Sequence, residues 1–203
     1  MSSAIDPREL QQIVERAQNG SVSDFQRLYD LFGDGIYNFI WRLVGSPDEA
    51  EDLTQETFLK AYADLKNLRD PSQFRFWLFR IARNEVYQRI RRSKRRPEVS
   101  IDNEEIGYYD FLPDESSFPD PERRILSQEL SEVIQDCLQK LKPKYRDVFV
   151  LAVFEKMSYE DITKVVGRSL LSVKTDIYRA RLALKEALTE YLVKSRRKGW
   201  PRR

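Results

Sequence analysis

The sequence predicts an all-α chain: two small helical domains joined by an acidic flexible linker. Three observations lead there. Apolar residues recur at three- and four-residue spacing through every long segment, and no alternating strand pattern competes. Helix start signals, a capping Ser or Asp with an acid or amide three residues on, recur along the chain. The helical rhythm breaks at Pro97, Pro113, Pro119 and Pro121, with Asp and Glu between them, a composition that buries too little apolar surface to hold a regular element. The division is therefore 1–96, linker 97–120, 121–193, and a basic tail 194–203 expected to be disordered.

In chain order, Asp6, Pro7 and Glu9 read as N-cap, first helical position and capping-box partner of a short helix that stops at Asn19-Gly20. Ser23 with Gln26 opens a second helix, whose core stripe is Phe25, Leu28, Tyr29, Phe32, Ile36, Phe39, Ile40 and Leu43. Ser46, Pro47 and Glu49 start a third, running to about Leu65, and Asp70-Pro71 breaks the chain before a basic aromatic helix over Phe74 to Arg92. Phe74, Trp77, Leu78 and Ile81 are its expected inward residues. Past the linker, Ile125, Val133, Ile134 and Leu138 mark one helix, and Tyr145, Val148, Phe149 and Ala152 another after Pro143. Ser158 with Asp161, then Ser169 with Ser172, start two more around Gly167, the signature of a helix-turn-helix.

Charge is segregated, although the net value is only +2. Nine of the 23 residues from Phe74 to Arg96 are Arg or Lys, five are aromatic and one is a carboxylate; the 24 residues from Pro97 to Asp120 hold eight carboxylates and no base. A basic helix studded with rings suits a nucleic-acid strand, and an acidic stretch repels one. Arg75, Arg80, Arg83, Arg89, Arg91 and Arg92 lack helix ion-pair partners except around Glu85, so their counterions are expected from a partner molecule. The third helix is the reverse case. Its inward stripe is Leu53, Thr57, Ala61 and Leu65, and the other side gathers Asp52, Gln55, Glu56 and Leu59, an apolar residue among acids that fits a protein docking surface.

In the last helix, Leu170, Val173, Ile177, Ala180, Leu184 and Leu188 share a core face. Opposite lie Leu171, Ser172, Thr175, Asp176 and Arg179, flanked by Lys174, Tyr178 and Arg181, the mixture of short polar and long basic groups that major-groove readout needs. An ordinary amphipathic hairpin with a solvated face fits that pattern nearly as well, and Asp176, an anion on the supposed DNA face, favours it. The 203 residues contain no histidine, which removes any His-centred nucleophile relay, and a single cysteine, Cys137, read as a buried helix position. No cofactor, metal or catalytic residue is expected. No apolar run approaches the ~20 residues that cross a bilayer, and no secretory leader is evident, so the expected compartment is the cytoplasm.

Across nearly the whole chain, AEDLTQETFLKAY (Ala50 to Tyr62), FRFWLFRIARN (Phe74 to Asn84), YRDVFVLAVFEKMSYEDITKVVG (Tyr145 to Gly167) and SVKTDIYRARLALK (Ser172 to Lys185) resemble the two conserved regions of bacterial extracytoplasmic-function sigma factors, group 4 of the sigma-70 family. The resemblance implies a region 2 bundle at 1–96 and a region 4 helix-turn-helix at 121–193. It implies a promoter-recognition subunit with core RNA polymerase, promoter DNA and an anti-sigma factor as partners, monomeric when free and not an enzyme. Asp52, Gln55, Glu56 and Leu59 would then dock on the polymerase clamp. The turn Leu68 to Phe74, with Arg69, Ser72, Gln73 and Phe74, would capture an extruded minus-ten base, and Arg80, Arg83, Asn84 and Tyr87 would follow the separated strand. Arg168, Leu171, Ser172, Lys174, Thr175, Tyr178 and Arg179 would contact the minus-thirty-five element. The linker would thread basic polymerase channels. Asp70-Pro71 stands where relatives often have Gly-Asp, Leu171 where Gly is common and Asp176 where a neutral or basic residue is common, so base preference does not carry over. The alternative from the residues is a freestanding two-domain regulator whose helix-turn-helix binds duplex DNA without polymerase.

Overall fold

The computed structural model describes the backbone of residues 5–94 and 121–197 and the side chains of 5–92 and 131–191. The acidic linker over 97–120 lies outside the described residues, as do the last six residues of the basic tail; the backbone of the preceding four belongs to the final helix.

Every regular element among the described residues is helical: α1 (Pro7–Gln18), α2 (Val22–Val44), α3 (Pro47–Asp64), single 3₁₀ turns at Leu65–Asn67 and Pro71–Gln73, α4 (Phe74–Lys94), α5 (Pro121–Lys140), α6 (Pro143–Val153), α7 (Tyr159–Val166) and α8 (Leu170–Arg197). Local chemistry sets most of these ends. Asp6 caps α1 through the Arg8 amide at 2.7 Å, while Glu9, the expected capping-box partner, instead pairs with Arg27 at 3.0 Å. Helix α2 starts earlier than the Ser23 signal: Ser21 is its N-cap, accepting from the Asp24 amide at 3.3 Å and donating to the Asp24 carboxylate at 2.7 Å. That reciprocal pair wins because Asp24 is also gripped by Arg16 from α1, whose hydrogen bonds hold the carboxyl below its ordinary range. Ser46 caps α3 as expected.

The first four helices form one cluster, with α2 against α1, α3 and α4. Its core is built from Ile13, Leu28, Ile36, Phe39, Leu53, Phe74, Leu78 and Phe79, with Phe39 meeting Phe79 edge-on at 5.2 Å. Two core assignments change. Tyr29 is exposed at the rim of the α2 stripe. On α4 the buried face is Phe74, Leu78, Phe79, Ala82 and Val86, while Trp77 and Ile81 are half-buried. The reason is that α4 packs on both sides, against α3 and α2 on one and α7 on the other.

Helices α5 to α8 form the second cluster around Leu138, Leu151, Ile162, Val173 and Ile177, and Cys137 is buried there with its thiol pushed up by burial. The two clusters pack directly on one another through α2 with α5 and α6, and α4 with α7, and their buried residues form one continuous core.

Candidate polymerase and promoter interfaces

Helix α3 presents the acidic face as expected. Leu53, Thr57, Ala61 and Leu65 point inward, and Asp52, Gln55 and Leu59 are exposed, Leu59 at 70%. Glu56 is half-buried and pairs with Arg89 of α4 at 3.5 Å, with Glu49 a further 3.9 Å contact to the same guanidinium. Leu59 is thus a large apolar side chain held in water by a rigid helix, a cost that docking would recover.

The turn before α4 is held by Asp70, whose carboxylate accepts from the Ser72 amide at 3.0 Å and its hydroxyl at 2.6 Å; these bonds keep the acid ionised below its ordinary range. The Ser72 hydroxyl is therefore committed to Asp70, and Gln73 in turn donates to its oxygen at 3.1 Å. Phe74 is fully buried against Phe32 and Trp77, so it forms the floor beneath the turn and presents no ring at its surface. Arg69 is exposed, and after Gln73 of the 3₁₀ turn Arg80, Asn84, Tyr87 and Arg91 follow one another at helical spacing along a single α4 face.

In the helix-turn-helix, Ser158 caps α7 through the Asp161 amide at 3.1 Å, Gly167 makes the left-handed turn at φ 68°, and Ser169 accepts from the Ser172 amide at the start of α8. Leu171 is 76% exposed, Lys174, Tyr178 and Arg179 are exposed, and Ser172 and Thr175 are half-buried beside them. Thr175 spends its hydroxyl on the Leu171 carbonyl at 2.8 Å, and Arg179 reaches the Tyr145 hydroxyl at 3.2 Å. Asp176 is not on this face. It is buried beneath Arg168, whose guanidinium binds it, because its position next to Ile177 turns it toward α6.

The seam between the clusters pairs residues that lie far apart along the chain. Asp147 of α6 is fully buried. Its Oδ2 accepts from Arg83 Nε at 2.6 Å and the Tyr87 hydroxyl at 3.0 Å, both on α4; its Oδ1 accepts from the Val148 amide at 2.7 Å and faces Arg168 at 3.4 Å. Burial pushes the Asp147 carboxyl and the Tyr87 phenol upward, and the arginines oppose the first shift. The last turn of α2 is capped from the other cluster: Gln135 donates to the Trp41 carbonyl at 2.9 Å, Gln139 to that of Arg42 at 3.2 Å, and Arg146 to that of Leu43. Arg146, buried, also binds the Gln139 carbonyl at 2.6 Å and that of Leu141 at 3.1 Å, and desolvation brings its pKa down to about 10. Arg75 donates to the Glu155 carbonyl at 2.9 Å, and Arg42 lies 3.6 Å over the Phe154 ring. Arg83 and Arg89 thus find carboxylates within the chain, correcting the expectation that their counterions come from outside.

Comparison with known proteins fits this arrangement. Residues 28–96 match the family model for sigma-70 region 2 and residues 131–184 that for sigma-70, region 4. The chain is 33% identical to the ECF RNA polymerase sigma factor SigW of Bacillus subtilis over 180 residues, 87% of this chain and 95% of that protein. The chain belongs to the ECF group of the sigma-70 family. It is likewise 34% identical to the RNA polymerase sigma-H factor of Pseudomonas aeruginosa, over 90% of this chain and 95% of that one. Among solved structures, CnrH in complex with the cytosolic domain of CnrY shares the fold at TM-score 0.65 and 24% identity, covering 91% of this chain and 99% of that one. The sigma factor RpoE of Bartonella quintana, in complex with the anti-sigma factor NepR, superposes at TM-score 0.63 with 27% identity, over 83% and 98% of the two chains. As an ECF sigma factor the protein binds core RNA polymerase and recognises promoters, and it catalyses nothing itself. Matches to both regions set aside the freestanding regulator. Among the described residues, no helix is long and apolar enough to cross a membrane.

Proposed function

We propose that this sigma factor docks on the core polymerase clamp through Asp52, Gln55, Glu56 and Leu59 of α3, captures a minus-ten base at the Leu68–Phe74 turn and guides the separated strand along α4. The observation that carries the reading is the α4 track: Arg80 and Asn84 continue from the rigid turn that presents Arg69 and Gln73, so one face offers cations and amides along the helix. Phe74 supports the turn from below, and Ser72 fixes it through Asp70. Arg83 and Tyr87 belong to the same track. For the minus-thirty-five element the groove-facing group is Leu171, Ser172, Lys174, Thr175, Tyr178 and Arg179, with Arg168 at the approach to α8.

Domains over 1–96 and 121–193, with the acidic segment 97–120 lying in polymerase channels, complete the reading. The likeness to RpoE supports an anti-sigma factor as a further partner, and action on polymerase and promoter DNA fits a cytoplasmic monomer. The test is binding of single-stranded minus-ten DNA by holoenzyme carrying Arg69→Ala and Gln73→Ala. A loss of at least tenfold on the promoter strand with little change on random sequence is expected. Equal loss on both would reduce the turn to a phosphate contact.

A further inference from the structure

The seam sets a constraint on promoter binding that neither cluster shows alone. Asp147 divides its two oxygens: Oδ1 is held within its own cluster by the Val148 amide and Arg168, and Oδ2 is held across the seam by Arg83 and Tyr87. Three residues of the proposed DNA track and approach therefore converge on one carboxylate. The side chain of Asp147 is fully buried, with Arg83 at 16% and Arg168 at 24% exposure, so a phosphate has no access to the same guanidinium edges while the contact stands. A carboxylate and a phosphate make the same demand on a guanidinium, two anionic oxygens at hydrogen-bond distance, so they compete for it.

We propose that Asp147 is a latch: in the free chain it draws the two clusters together and occupies Arg83 and Tyr87 across the seam, so that closure and promoter binding exclude each other. This rests on the reading of Arg83 and Tyr87 as DNA-facing residues. The seam is built for closure, since α2 receives its C-terminal caps from Gln135, Gln139 and Arg146 across it. It is also built to release. On opening, Asp147 keeps the Val148 amide and Arg168 while Oδ2 passes to water, so the acid is not stranded. The docking face bearing Leu59 lies on α3, away from the seam, so polymerase has a surface to grasp while the latch is closed.

A reversible cross-link tests this on the full chain. A Cβ at Gly35 would lie 3.8 Å from a Glu155 side-chain oxygen across the seam, and neither residue belongs to the proposed DNA contacts. Gly35→Cys and Glu155→Cys, in a Cys137→Ala background, are joined by a short reducible bismaleimide. Promoter-dependent transcription with core polymerase is compared before and after the spacer is cleaved. The expected result is at least a tenfold gain on cleavage; equal transcript from the cross-linked and cleaved chains overturns the latch. Asp147→Asn supplies a second measurement, since the amide can no longer hold two guanidinium groups and a phenol as an anion does. Affinity of the free chain for a forked promoter fragment should rise about tenfold, and no rise in a variant with wild-type helicity and a cooperative thermal transition counts against the proposal. Should that variant not fold, the cross-link decides by itself. Failure of the underlying site reading is seen separately: Arg83→Ala would then leave fork binding by the cleaved chain unchanged.

Discussion

Leu59→Ala separates docking from folding. The side chain is 70% exposed on a helix whose opposite face supplies the core, so its removal opens no cavity, and alanine is at least as good a helix former. Unfolding stability should change by less than ~0.5 kcal/mol, the usual range for surface sites. Burying a whole leucine is worth roughly 1.5–3 kcal/mol; with most of that area still in water and one methyl retained by alanine, about 1–1.5 kcal/mol is at stake. That corresponds to roughly a tenfold weaker complex with core polymerase. The assay is competition for core against a fluorescent sigma factor, at low and high salt. The Leu59 loss should persist at high salt because burial is not screened, whereas the loss from Asp52→Asn should fade as ions screen it. A dissociation constant within twofold of wild type at both salts would refute the assignment of this face.

Two further substitutions probe the seam. Arg146→Met should destabilise the chain by roughly 3 kcal/mol or more, because it strips donors from buried carbonyls of Leu43, Gln139 and Leu141 at once; a urea midpoint shift worth less than about 1 kcal/mol would contradict the trans-capping role. Glu155 has its pKa raised by burial to about 7, with Arg75 and Arg42 opposing the shift. A raised acid stabilises the folded chain fully below its unfolded value and loses that contribution as pH climbs through about 7. Wild-type stability should therefore fall between pH 5 and 8 by up to roughly 3 kcal/mol more than that of Glu155→Gln, read by urea unfolding across that range, and parallel curves would sink the assignment.

The helices were legible because their determinants are local. Ser46 with Glu49, Ser158 with Asp161, and Gly167 each act within a turn, so reading them needs no knowledge of the fold. Where two local signals compete, a distant residue decides: Ser21 beats Ser23 as the α2 cap because Arg16 pins Asp24, a fact about α1. The α4 stripe blurred for a related reason. A helix wrapped by α3 on one side and α7 on the other has no single inward face, and its period cannot rank Trp77 against Leu78. The site was legible in outline, since the exposed face of α3 and the turn before α4 follow from positions along one helix. What could not be seen was which of these side chains are already engaged, Ser72 by Asp70, Glu56 by Arg89 and Arg168 by Asp176.

Asp147 shows where counting charges along a sequence fails. The expectation that the α4 arginines need an external partner rested on the absence of acids three or four residues away, which is the right test for an isolated exposed helix. It has no force for acids 64 residues distant, and that is the separation between Arg83 and Asp147. The segment did carry a signal: Arg146-Asp147 directly precedes the run Val148, Phe149, Val150, Leu151, all buried, and a charged pair buried at the head of such a run must be paired or pay several kcal/mol for its desolvation. Arg146 cannot be the partner, because both its terminal nitrogens are spent on amide oxygens. A second and a third cation must therefore approach α6 from elsewhere in the fold, and the exposed-looking arginines of α4 are the cations the chain has in excess. On that argument the buried acid and the basic helix are one feature, and a variant that neutralises Asp147 should change the behaviour of α4 before it changes that of α8.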